Sequence, residues 1–83
     1  MVFRSIKFTT SVISVDAIVQ ITAFAALFQN NGDTNVTISD FVLKPNSSLS
    51  LSVPDNSEIN QEFNIVFTEP ATVKSLVIMQ ETT

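Results

Sequence analysis

The stretch SLSLSV, residues 48–53, alternates without exception: Leu49, Leu51 and Val53 fall on one side of an extended chain, Ser48, Ser50 and Ser52 on the other. Successive side chains of a β-strand point to opposite faces, so this period of two marks a strand with one side on a core and one toward solvent. Its borders agree. Upstream, KPNS (44–47) reads as a turn with Pro45 pre-set for the second position, and downstream PDNS (54–57) reads as another.

Working outward, the same logic applies to most of the chain. TNVTISDFVL (34–43) alternates Val36 and Ile38 against Thr37 and Ser39, then changes phase near Asp40, after which Phe41 and Leu43 take the apolar positions. A one-residue change of phase is what a β-bulge or a strand break produces. EFNIVF (62–67) sets Phe63, Ile65 and Phe67 on one face; EPA (69–71) reads as a turn; VKSLVIM (73–79) sets Leu76 and Ile78 opposite Val73, Val77 and Met79. At the N-terminal end, VFRSIKFT (2–9) and the short β-branched SVISV (11–15) read as two further strands. A helical turn over 55–60, capped by Asp55 or Ser57, is a minor expectation.

The run AIVQITAFAALF (17–28) is apolar on both faces, as a central strand covered on both sides would be. Ala23, Ala25, Ala26 and Leu27 also suit a helix, whereas the β-branched start and the turn that follows favour strand. That turn, QNNGDTN (29–35), holds the chain's single glycine. A two-residue Asn31-Gly32 hairpin turn would require φ > 0 at both positions. It would place Leu27 opposite Val36, Ala25 opposite Ile38 and Phe24 opposite Ser39, and would leave the Asp33 side chain with little to do. Short strands separated by turn signals every eight to twelve residues predict an all-β fold. The expectation is a single domain over 1–83, a compact antiparallel β-sandwich or small barrel of about seven or eight short strands.

Composition limits what such a domain can do. The chain has 83 residues and no Cys, so neither disulfides nor a Cys-rich zinc site support the fold. Apolar residues make up 45% and include seven Phe, more than so small a body readily covers, which suggests burial against another subunit. Only 14% of residues are charged, while Ser, Thr, Asn and Gln supply about a third. Low charge suits a surface buried in an assembly, where each ammonium or carboxylate would have to shed its water. A net charge of −4 with Arg4, Lys7, Lys44 and Lys74 scattered along the chain argues against nucleic-acid binding, which needs clustered Lys or Arg. The longest apolar run is too short for a transmembrane helix, which needs about twenty residues. AFAA (23–26) resembles a signal-peptide cleavage site, but Asp16 interrupts the apolar stretch before it and the reading is against export.

The usual catalytic groups are sparse. There is no His or Cys and one Arg, and no Ser stands in a nucleophile motif. Asp55, Glu58, Glu62 and Glu69 would have to converge to act as paired carboxylates. Asn30, Asn31, Asp33 and Asn35 offer oxygen donors to a calcium ion, but a single carboxylate compensates a dication poorly and the EF-hand spacing is absent. The triplets Asn35-Val36-Thr37 and Asn46-Ser47-Ser48 match the glycosylation sequon in a chain rich enough in these residues to produce it by chance. No catalytic, cofactor-binding or metal-binding residue is assigned.

The segment TNVTISDFVLKPNSSLSLSV (34–53), followed by EFNIVF and VKSLVIMQ, resembles small β-sandwich virion proteins of tailed bacteriophages, of the capsid-decoration and head or tail accessory type. Asn46 stands where that pattern has a glycine after the proline. The resemblance implies a homo-oligomeric structural role and carries over no catalytic residue. The expectation is a non-enzymatic structural protein located in the virion, partnered by copies of itself and by other virion structural proteins, with no role for nucleic acid or membrane. A carbohydrate- or surface-binding module of the same fold, or a small adaptor subunit of a cellular complex, are the alternatives; the absence of Trp and Tyr counts against sugar binding.

Overall fold

Every β-ladder in the fold straddles the same tight turn, Ser39–Asp40. The structure, a computed structural model, describes residues 6–54 and 57–82. These form eight strands: β1 (Lys7–Ile13), β2 (Ala17–Ala23), β3 (Ala25–Asn30), β4 (Val36–Ile38), β5 (Phe41–Leu43), β6 (Ser48–Ser52), β7 (Ile59–Phe67) and β8 (Leu76–Thr82). Sheet A has the order β1-β8-β3-β6 and sheet B the order β2-β7-β4-β5. The antiparallel pairs β1·β8, β2·β7, β3·β6 and β4·β5 are nested, so the chain is one long hairpin; the ladders β3·β8 and β4·β7 roll it into two layers. This is the jelly-roll form of the β-sandwich. The expected all-β sandwich is thus observed, with eight strands and two open sheets.

The inward residues meet between the sheets. Phe28, Leu76, Ile78 and Ala26 from sheet A face Ile21, Val36, Ile38, Leu43, Ile65 and Phe67 from sheet B, all at most 4% exposed. Phe28 and Phe63 bridge the layers edge to face, with ring centroids 5.5 Å apart and planes at 62°, a geometry that matches the positive ring edge to the negative ring face. Leu49 and Leu51 of the alternating SLSLS strand are half-buried and pack against this core, as the period predicts.

Local chemistry explains several connections. The phase change near Asp40 is a strand break: β4 and β5 form a hairpin with Ser39 at φ 53°, paired Ile38↔Phe41, Thr37↔Val42 and Val36↔Leu43. In the turn 44–47 the Ser47 N–H donates to the Lys44 carbonyl at 3.1 Å, with Asn46 at φ 64°. Proline at the second position and a left-handed third residue define a type II turn, so Asn46 occupies the site that glycine usually fills.

Other expectations are corrected. Residues 17–28 are strand and not helix, but they form two strands in opposite sheets, divided by a bend at Phe24. The buried positions run Ile21, Ala23, then Ala26, Phe28, and this slip from odd to even carries the chain from one layer to the other. The apolar character on both sides therefore has a different cause from central burial. The strands proposed over 2–9 and 11–15 are one strand, β1; residues 2–5 lie outside the described residues. Strand β8 begins at Leu76, and Val73–Ser75 form an irregular segment before it. Of the helical turn expected over 55–60, residues 55 and 56 lie outside the described residues, while Ile59 and Asn60 open β7.

The Asn-Gly hairpin is overturned. β3 pairs with β6 and β8, whereas β4 pairs with β5 and β7, so residues 31–35 cross between sheets. Leu27 lies opposite Ser50 and Met79, Val36 opposite Leu43 and Phe67. Neither Asn31 nor Gly32 has a positive φ. Glycine is required for close approach: a Cβ at residue 32 would lie 2.5 Å from the Val73 carbonyl oxygen and 3.1 Å from the Ser75 nitrogen. The crossing is locked on that segment by Asn31 N–H to Ser75 O (2.9 Å) and Asp33 N–H to Val73 O (3.0 Å).

Candidate functional site

Of the four side chains that the loop offered as oxygen donors to a cation, Asn30 and Asp33 are spent internally. Asn30 is fully buried; its Nδ2 donates to the carbonyls of Thr34 (2.7 Å) and Leu43 (3.0 Å), and its Oδ1 accepts from the Gly32 N–H (3.0 Å). The Asp33 carboxylate accepts from the N–H groups of Thr72 (3.2 Å) and Val73 (3.1 Å), a use of Asp33 that the sequence reading missed. Thr34 Oγ1 donates to the Thr68 carbonyl at 2.6 Å. The loop is a clasp between the two sheets. Asp16, at the β1–β2 corner, works similarly, accepting from the Phe67 N–H at 2.9 Å.

Among the described residues the carboxylates do not converge. Glu58 precedes β7 and Glu69 follows it; a nine-residue strand separates them by about 27 Å at ~3.3 Å per residue, well beyond the ~5–9.5 Å that a glycosidase pair requires. Glu62 points outward from β7 beside Gln20, and Asp55 lies outside the described residues. Glu69 pairs with Lys74, and this hydrogen bond holds the ammonium pKa above its ordinary value. The AFAA stretch is folded into the sandwich, with Ala23 and Ala26 buried.

The feature that stands out is the outer face of sheet A. Its register aligns three rows across four strands: Phe8–Glu81–Ala25–Ser52, Thr10–Met79–Leu27–Ser50 and Val12–Val77–Gln29–Ser48. Among these twelve positions the only charge is Glu81. Large apolar groups stand in solvent, Phe8 at 69%, Val12 at 61% and Met79 at 39% exposure. Beside them, the small residues Ala25, Ser50 and Ser52 leave a shallow, mostly apolar hollow of about 240 Å³ that also touches Leu27 and Glu81. That volume is below the ~300–1,000 Å³ typical of small-molecule sites.

The outer face of sheet B differs. Gln20 Nε2 donates to Asn60 Oδ1 (2.8 Å) and to Thr22 Oγ1 (3.3 Å) across β2 and β7, forming an amide patch already satisfied within the chain. Exposed apolar groups occur there too, Ile18 on β2, Val66 on β7 and Val42 on β5, the last two in one row across Thr37, and Glu62 is the one charge on its outward strand positions; what sets sheet A apart is its exposed Phe8 and its hollow.

The signal for the sheet A face was present in the sequence as surplus apolar residues. Assigning Phe8, Leu27 and Met79 to one surface needs the pairing of three strands that are distant along the chain, and no local pattern specifies that. Comparison with family models, with curated proteins and with solved structures finds no match in any of the three.

Proposed function

We propose that this chain is a non-enzymatic structural subunit of a viral particle, held there by packing the outer face of sheet A against other copies of itself or other structural proteins of the particle. The observation that carries the reading is that face, with a single charge among twelve positions and an apolar hollow toward the end where Phe8, Glu81, Ala25 and Ser52 align. Solvated faces of small domains normally carry both signs of charge, interspersed. Here Ser and Thr hydroxyls take their place, and these lose far less than a carboxylate or ammonium when water is removed. Fully covering a large apolar side chain contributes about 1.5–3 kcal/mol, so Phe8, Val12 and Met79 together supply a useful share of a docking free energy. Bound copies stabilise the particle by mass action. The jelly roll agrees with this role, since it recurs in viral shells, but it also serves lectins and enzymes, so the argument rests on the face and not on the fold.

The test is direct. The chain should be found by mass spectrometry among the proteins of purified particles, and its absence from them would sink the viral reading. Leu27→Lys and Met79→Lys, at outward positions, should retain the β-sheet circular dichroism spectrum and lose association with the particle. Retained association would refute the assignment of the face.

A further inference from the structure

We infer that the edge of β1 away from β8, which carries no ladder among the described residues, is a self-association site, at which two copies pair β1 with β1 antiparallel about a two-fold axis through Thr10. This joins the two four-stranded A sheets into one continuous sheet. The inference deepens the assembly reading only in requiring self-association; the viral context is not needed.

The first argument is that β1 is poorly held by its own chain. Among the described residues it makes one ladder, to β8, and six of its seven residues are exposed, on both faces of the strand. A ladder with so little burial is marginal in water, because the ordering entropy of each residue is opposed only by hydrogen bonds of small net worth. The second is that β1 lacks the features that protect edge strands: its register with β8 runs unbroken from Lys7↔Thr82 to Ile13↔Leu76, it contains no Pro, and its one charge, Lys7, stands at the end. The other edges are shorter or better secured: β6, the opposite edge of sheet A, has five residues and holds Leu49 and Leu51 against the core. β5 has three residues; β2 is as long as β1, but Ile21 and Ala23 already bury its inward side and Gln20 is tied to Asn60.

The third argument selects a second copy as occupant and fixes the register. Pairing centred on Thr10 places Phe8 opposite Val12 of the other copy, and Val12 opposite its Phe8, so both exposed apolar residues gain an aromatic–β-branched partner. Centring on Thr9 or Ser11 would set Phe8 against Thr10 or leave it unpaired. The Thr10 register also places the two Lys7 residues at opposite ends of the ladder, about 20 Å apart. Because the axis is perpendicular to the sheet, both outer faces point the same way and form one enlarged apolar surface.

The chain has no cysteine, so single substitutions report the register cleanly. Cα atoms across an antiparallel pair lie about 4.5–5.5 Å apart, within disulfide range. Thr10→Cys should therefore oxidise to a covalent dimer at least about tenfold faster than Gln20→Cys at the centre of β2, through raised effective concentration. Phe8→Cys and Val12→Cys should cross-link when mixed and not singly. In native mass measurement the wild type should be dimeric, and Thr10→Lys, which brings two ammonium groups to the axis, should be monomeric with an unchanged circular dichroism spectrum. A wild-type monomer, a dimer insensitive to Thr10→Lys, or cross-linking at Gln20 as fast as at Thr10 would each overturn the proposal. Failure here with the chain still present in particles would leave the structural role standing and remove only this edge.

Discussion

Gly32→Ala tests the clasp between the sheets. The added methyl carbon would meet the Val73 carbonyl oxygen at 2.5 Å, the Ser75 nitrogen at 3.1 Å and Asn30 Oδ1 at 3.4 Å. Two of these are backbone atoms and cannot rotate aside, so residues 30–34 and 73–75 must separate. The hydrogen bonds Asn31 N–H to Ser75 O and Asp33 N–H to Val73 O lie in the path of that movement. Forcing extra volume into a packed site costs about 1–3 kcal/mol, and each weakened hydrogen bond adds about 0.5–1.5 kcal/mol. The lower entropy of the unfolded Ala chain returns ~0.4–1 kcal/mol. The expected loss lies between about 1 and about 5 kcal/mol and centres on ~3 kcal/mol, a fall in melting temperature of roughly 12–24 °C at that centre for a domain of this size. Far-UV circular dichroism is the suitable probe, because the chain has no Trp or Tyr. If the variant melts within a few degrees of wild type, residues 73–75 do not sit on Gly32, and the account of the crossing is wrong.

Further outcomes follow from neighbouring geometry. Asn30→Ala removes three hydrogen bonds from a fully buried site and strands two carbonyls and an N–H; at ~1–3 kcal/mol per unsatisfied group it should unfold much of the population at 25 °C, and a stable variant in urea titration would refute the role of Asn30. Asn46 at φ 64° should accept glycine at little or no loss, while Asn46→Ala should lose about 1 kcal/mol through its left-handed backbone, measured as a shift in denaturation midpoint. The Glu69–Lys74 pair lies on the surface and Lys74 has a raised pKa, so any stability it supplies is present at neutral pH and is lost as pH rises through that value. A difference between wild type and Lys74→Met that grew above the ordinary lysine range would contradict this sign.

Strand alternation determined what it physically encodes, namely which side of each short segment turns inward. Leu49 and Leu51, Phe63, Ile65 and Phe67, and Leu76 and Ile78 face the core as their period requires. The turn at Lys44–Ser47 and the break at Asp40 follow likewise from residues adjacent in sequence, through the fixed φ of Pro45 and a slip in phase. Only the tertiary structure decided which strands share a sheet. A period of two is silent about the partner across the ladder, and Leu27 matches Val36 as acceptably in a local hairpin as it matches Met79 in the observed sheet. The bend at Phe24 and the clasp at Asn30–Thr34 settle the matter by sending β2, β3 and β4 to alternate layers. Gly32 then owes its place to the backbone of Val73 and Ser75, some forty residues away along the chain, and not to the turn it seemed to make. The apolar face of sheet A arises in the same way, since Phe8, Leu27 and Met79 become neighbours only when the hairpin is rolled.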